Sequence, residues 1–256
     1  MITITVNTKL CPQQLFEDAP PEKTKTEYNI TDKVSVINNG RAYSIYIPPG
    51  TDMNKPVKFI LYFHQQNSSN RAIGGLKKFI PPGQNSILVV PNLGRRPQRA
   101  NVSGMSTFID DIADYLASTF RLEQVPPIGS LFMYAHSAGG TAMSKALLLI
   151  PGKYMGDVHV TYLDATFGQT ARTITPKAIE RLRRLGVPMD RIRAVTGPVK
   201  RGRKILTKVH PRAVKLAKRY GIKHVPTTRD HGYLRIPIKW RKALKALKKR
   251  MHKQRE

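Results

Sequence analysis

The chain has 256 residues, of which 40% are hydrophobic, enough for one sizeable core. Its one cysteine, Cys11, excludes an internal disulfide and a cysteine-built metal cluster, and no run approaches the ~18 apolar residues of a membrane span. The net charge of +28 is unevenly carried: residues 1–170 hold 16 Lys/Arg against 12 Asp/Glu, whereas residues 171–256 hold 28 against 4. That imbalance points to an anionic partner, whether nucleic acid, a membrane surface or an acidic polymer.

Met1 to Asn7 alternates apolar and polar residues, which predicts a short strand through Ile2, Ile4 and Val6 rather than a secretory leader. The expected setting is therefore the cytoplasm or a particle assembled inside the cell. Residues 11–30, with Pro12, Pro20 and Pro21, read as an arm over the surface. Lys33–Asn38 and Arg41–Pro48 flank Asn39-Gly40, a hairpin signal because both turn residues tolerate positive φ. Lys58–Phe63 and Ser86–Pro91 read as buried strands, the first followed by polar His64-Gln65-Gln66. Met105, Phe108, Ile109, Ile112, Leu116 and Phe120 mark an amphipathic helix with Asp110, Asp111 and Asp114 toward water.

Leu131–Ala135 is a five-residue run without charge, expected to be a strand buried on both faces. His136-Ser137-Ala138-Gly139-Gly140 follows, and then a helical pattern through Ala142, Met143, Ala146 and Leu147. Beyond lie a strand at Val158–Leu163, ending at Asp164, and a helix at 176–185. A strand at Arg191–Thr196 leads into a basic loop at 197–209. A helix near 211–220 precedes a last strand at Gly221–Pro226, directly followed by Asp230-His231-Gly232. Trp240, Leu244, Leu247 and Met251 give a closing basic helix an apolar face. Strands alternating with helices predict a mostly parallel sheet covered on both faces. The expected organisation is an N-terminal arm (1–32), one α/β domain (33–240) and a basic helix continuing it (241–256).

Strand, tight turn centred on serine, then helix is the setting of a nucleophile elbow, which lifts a hydroxyl clear of the sheet at a helix N-terminus. Ala135-His136-Ser137-Ala138-Gly139 resembles the G-x-S-x-G motif with alanine first, and the chain resembles the α/β-hydrolase superfamily of serine esterases, lipases and peptidases over residues 33–240. The resemblance implies an α/β-hydrolase fold and Ser137 as nucleophile. It implies a base after the last strand, and of the seven histidines His231 occupies that place. His136, His159, His210, His224 and His252 sit elsewhere, and His64 matches a histidine that is commonly structural in that family. The acid usually follows the penultimate strand, but residues 191–229 contain no Asp or Glu. Asp157 and Asp190 stand at the wrong strand ends and Asp230 adjoins the base. Asp164 remains, which resembles the lipase-like subset that keeps its acid one strand early.

An oxyanion hole takes two backbone N–H groups. One is expected from Ala138, the other from Gln65 or Gln66, where the family usually has His-Gly. No cofactor is expected. Three readings stand side by side. One is a serine hydrolase of a small-molecule or polymeric ester (or amide), recruited to an anionic surface, polymer or nucleic acid through Lys200, Arg201, Arg203, Lys204, Arg241 and Lys242. Another is a structural or binding component of a larger assembly whose hydrolase-like site is weak, as His64-Gln65-Gln66 suggests. The last is a nonspecific nucleic-acid-binding protein.

Overall fold

The computed structural model describes residues 2–6, 43–48, 50–68, 76, 80, 83–166, 171–201, 204–207 and 210–227. Strands β1 (Ile2–Val6), β2 (Tyr43–Ile47), β3 (Val57–Phe63) and β4 (Ser86–Pro91) come first. Helix α1 (Phe108–Phe120), β5 (Ile128–His136), α2 (Gly139–Leu147), β6 (Val158–Leu163), α3 (Ala171–Arg184) and β7 (Ile192–Thr196) follow. The short strands β8 (Val199–Arg201) and β9 (Lys204–Thr207), helix α4 (Pro211–Tyr220) and β10 (Lys223–Pro226) complete the series.

Eight strands form one sheet in the order β1-β2-β4-β3-β5-β6-β7-β10. The β1–β2 and β2–β4 pairs are antiparallel and the rest are parallel, the mostly parallel sheet that alternating strands and helices predict. Strands buried on both faces need apolar residues at every position, and Phe59, Leu61, Ile87, Val89, Leu131 and Met133 are all sealed. On one side they meet α1 through Ile109, Ile112 and Leu116, α2 through Ala142, Met143 and Ala146, α3 through Ile179 and Leu182, and α4 through Ala213 and Ala217. On the other side Ile60, Tyr62, Leu88, Val90 and Tyr134 bury against Leu76 and Ile80.

Four local expectations are corrected. The antiparallel neighbour of β2 is Ile2–Val6, and β4 fills its other edge, so Tyr43–Ile47 does not take Lys33–Asn38 as partner. Lys33–Asn38 itself lies outside the described residues. The expected basic loop at 197–209 contains the antiparallel pair β8–β9. α3 begins at Ala171, five residues before the proline expected to open it, because Ala171 and Thr175 are buried and Thr175 shares a hydrogen bond of 2.9 Å with Ser144 on α2. Asp110 does not simply face water: it pairs with Lys153 at 2.7 Å and accepts from the Tyr154 hydroxyl, tying α1 to the turn after α2. The closing helix around Trp240 lies outside the described residues.

Candidate active site

Ser137 stands where β5 gives way to α2, with φ at +52°. A β-carbon crowds the backbone in that left-handed region, at a cost of roughly 1–2 kcal/mol, so the turn persists only because its surroundings hold it. The ladder runs right up to the serine, whose N–H donates to the Leu163 carbonyl at 3.0 Å. Its own carbonyl accepts from the Gly140 N–H at 3.0 Å, closing the turn. Ala135 is fully buried, and a β-carbon on Gly139 would run into the Phe63 and His64 carbonyls. One on Gly140 would strike the Ala165 carbonyl. The small residues around the serine are therefore required by close approach on two sides. The elbow is wedged between the end of β3, which leads into Gln65 and Gln66, and the end of β6, which carries Asp164.

Asp164 is 5% exposed and also has positive φ, at +46°. Its N–H donates to the Val195 carbonyl at 2.8 Å, and its Oδ1 accepts the Gly197 N–H at 3.1 Å. The loop after β7, which offers no acid of its own, thus supplies a backbone donor to the acid one strand over. Nothing in the sequence marks Gly197 for that part. Ser137 and Asp164 end neighbouring parallel strands at the same rim of the sheet.

His64 is fully buried. Its Nε2 accepts the Leu93 N–H at 2.9 Å and its Nδ1 lies 2.9 Å from the Gln65 carbonyl, so the neutral Nδ1–H tautomer satisfies both. Burial holds its pKa below the ordinary histidine value, only partly opposed by the Gln65 contact. This imidazole pins the loop after β3 to the loop after β4. Gln66-Asn67 turns sharply, with Asn67 at φ +58°. Ala138 follows the serine into α2.

The remaining histidines are distributed over the fold. His159 sits 3.3 Å from Asp157 and stacks on Phe132 at the amino end of β6, remote from the serine end. His224 lies 2.9 Å from the Thr196 hydroxyl, and His136 is buried. His210 caps the start of α4, as its place in the sequence predicts. Burial lowers its pKa, while the charge of Asp164 acts in the opposite direction. That places His210 on the acid's side of the molecule. His231 and His252 lie outside the described residues, as do Arg203, Arg241 and Lys242. Lys200, Arg201 and Lys204 fall on β8 and β9. Among the described residues no cluster of His, Cys, Asp and Glu could hold a metal ion, and no helix is long and apolar enough to cross a membrane.

No protein-family model matches the chain, and no curated protein matches it in sequence. Solved structures do. It is similar to siderophore hydrolase EstA from Aspergillus nidulans at 12% identity and a TM-score of 0.51, over 82% of this chain and 90% of that one. It is also similar to esterase 2 of Thermogutta terrifontis phosphoramylated by tabun, at 14% identity and a TM-score of 0.48, over 91% and 96%. An S-formylglutathione hydrolase from Agrobacterium tumefaciens matches at 12% identity and a TM-score of 0.42, over 74% and 80%. Likeness at such identities is likeness of fold, and the chain has the α/β-hydrolase fold.

Proposed function

We propose that the protein is a serine hydrolase that cleaves an ester bond through an acyl-enzyme on Ser137. The observation that carries this reading is the backbone of Ser137: a non-glycine residue at φ +52° between a buried strand and a helix, followed by Gly139 and Gly140, which seat the turn against the ends of β3 and β6. Strain of this kind persists where the surroundings enforce it and concentrates at functional sites, and here it falls on a serine at the rim beside Asp164.

Asp164 is assigned as the orienting acid and His231 as the base. The ladder of β10 continues to Thr227, whose N–H donates to the Thr196 carbonyl at 2.9 Å. Two strand spacings, about 10 Å, separate that point from the β6 end. Four residues lead from Thr227 to His231, and an extended chain covers about 14 Å over that length, so the imidazole is within reach of Asp164. In the reaction His231 takes the proton of Ser137 as the hydroxyl oxygen attacks the ester carbonyl. The negative oxygen accepts from the Ala138 N–H and from Gln65 or Gln66. His231 then protonates the departing alcohol, and water, deprotonated by the same imidazole, frees the acid and restores the serine. The basic half recruits the enzyme to an anionic partner.

The loop after β3 favours a second reading. It holds Asn67 at φ +58°, where glycine would relax, and the Asn67 N–H already donates to the Arg95 carbonyl at 3.0 Å. A hole missing one donor loses roughly 10²–10³ in rate, leaving a feeble site on a protein whose duty is binding within an assembly. Turnover of chromogenic short-chain esters by the wild type, compared with Ser137→Ala, tests the first reading. Loss of turnover in the variant is expected; equal turnover by the two proteins would remove Ser137 from the mechanism.

A further inference from the structure

The sheet gives the molecule two unlike ends. Ser137 and Asp164 stand at the carboxyl ends of β5 and β6, and each helix on the α3/α4 side runs back from that rim to start the next strand. α3, with 14 residues, carries its last turn about 21 Å from the rim, and α4, with 10, about 15 Å. Cations gather at those far ends. Arg183 and Arg184 close α3, Lys218 and Arg219 close α4, Lys215 lies one turn earlier, and all five are exposed. The inward sides of both helices, Ala178, Ile179 and Leu182 with Ala213 and Ala217, join one core cluster, so both cover the same side of the sheet.

Cations at helix C-termini have an ordinary role, each offsetting the helix dipole by about 0.3–1 kcal/mol. Here the number of cations exceeds that need. α4 contains four basic residues and no acid, and the charge of Arg184 adds to burial in pushing the Arg181 pKa down. Like charges are held close together, an arrangement an external polyanion relieves.

The neighbouring residues decide which polyanion. Insertion into a membrane surface takes a set of exposed apolar and aromatic residues among the cations. Among the described residues the large exposed hydrophobics at this end of the sheet are Leu185 (44% exposed) in the turn after α3, Val214 (38%) on α4, Leu149 after α2 and Val125 before β5, and none of them is aromatic. Single-stranded nucleic acid takes open aromatic rings for stacking. Tyr220 is half-buried, with the Arg219 guanidinium 5.5 Å from its ring centre. Of the side chains that read base edges, Asn, Gln and Arg, α4 carries only Arg212 and Arg219, which serve phosphate equally well, and it has neither Asn nor Gln for adenine. What remains is a phosphate-contacting face without sequence preference.

We propose that Arg183, Arg184, Lys215, Lys218 and Arg219 form a docking surface for the phosphate backbone of duplex nucleic acid, at the end of the sheet opposite Ser137, where the duplex is a tether and not a substrate. This deepens the recruitment part of the function proposed above and is independent of the hydrolytic part, because it is read by binding alone.

The test uses the full chain and fluorescence anisotropy of a fluorescein-labelled DNA duplex of about 30 base pairs, titrated between about 50 and 200 mM salt. The variant Arg184→Gln/Lys215→Gln/Lys218→Gln is compared with Arg95→Gln/Arg96→Gln/Arg99→Gln, which removes the same number of exposed charges from the loop after β4. The first triple is expected to weaken binding about tenfold or more and to reduce the log–log salt slope by about 2.7, with the second triple nearer the wild type. Equal losses in the two triples would mean that net charge alone is felt, and would overturn the assignment. So would unchanged affinity in the first triple with a lowered melting temperature, which is the dipole role. Tighter binding of a single strand of equal length, or binding to phosphatidylglycerol vesicles without binding to the duplex, would overturn it as well.

Discussion

Gly140, the second residue of α2, lies against the carbonyl of Ala165, the residue after Asp164. That contact couples the turn bearing the serine to the turn bearing the acid, so the spacing of the two groups is set by backbone and not by side-chain choice. Adding one carbon tests it. Gly140→Ala places a β-carbon on a main-chain oxygen that cannot swing aside, and overpacking of this kind costs about 1–3 kcal/mol. Thermal unfolding should show a melting temperature lower by about 2–12 °C, since each kcal/mol moves a domain of this size by about 2–4 °C. An unchanged melting temperature would mean that α2 and β6 are not so closely seated.

Asp164 has two separable duties, accepting the Gly197 N–H and presenting a negative charge. Asp164→Asn keeps an oxygen for Gly197 and removes the charge, so stability should stay within about 1 kcal/mol while ester turnover falls by about 10³-fold or more. Asp164→Ala strands a buried N–H and should cost a further 1–3 kcal/mol or so in urea unfolding. If the asparagine variant turns over as fast as the wild type, Asp164 serves the fold alone.

His64 makes the fold sensitive to acid. Its pKa is lowered chiefly by burial, and burial leads the downward shifts of His159, His210 and His224 as well. In the unfolded chain these groups protonate near the ordinary value of 6.5. Below about pH 6.5 the unfolded state therefore binds more protons than the folded one, and stability should fall as pH falls through that value until the folded groups protonate too. Urea midpoints measured from about pH 8 down to 5 should decline on the acid side, and the decline should be shallower in His64→Gln. A flat profile would show that the Leu93 N–H does not depend on a neutral ring.

Beneath the elbow, the Ser144 hydroxyl sits 3.0 Å from the Tyr162 hydroxyl and 2.9 Å from that of Thr175, all sealed from water. These bonds join α2, β6 and α3. Tyr162→Phe leaves the Ser144–Thr175 bond in place and should cost about 1 kcal/mol, whereas Ser144→Ala breaks both bonds and should cost about 2–3. Equal costs in equilibrium unfolding would mean that the three hydroxyls do not act as one network.

Where one strong signal governs, the sequence is readable. Ser86–Pro91, apolar after its first residue, and Val158–Leu163, rich in β-branched and aromatic residues, have the bounds expected of them, and Ser137 announces itself through the small residues on either side. Long-range choices are not readable in the same way. Asn39-Gly40 signals a local hairpin, yet β2 takes Ile2–Val6, because strand pairing is decided by the whole sheet edge and not by one turn. The α3 start is hidden by Pro176, since its extra turn is held by Thr175 reaching Ser144 from a distant segment. Gly197 as a donor to Asp164 leaves no mark at all, because a backbone N–H has no sequence signature.

The central claim is that Ser137 is a nucleophile, and an active-site phosphonylating reagent tests it most directly. Wild type and Ser137→Ala are incubated with a fluorophosphonate and their intact masses recorded. The account predicts one adduct per wild-type chain, mapped to Ser137 by peptide sequencing, and none on the variant. A wild-type protein that stays unmodified, or a variant that is modified as fast as the wild type, would contradict it.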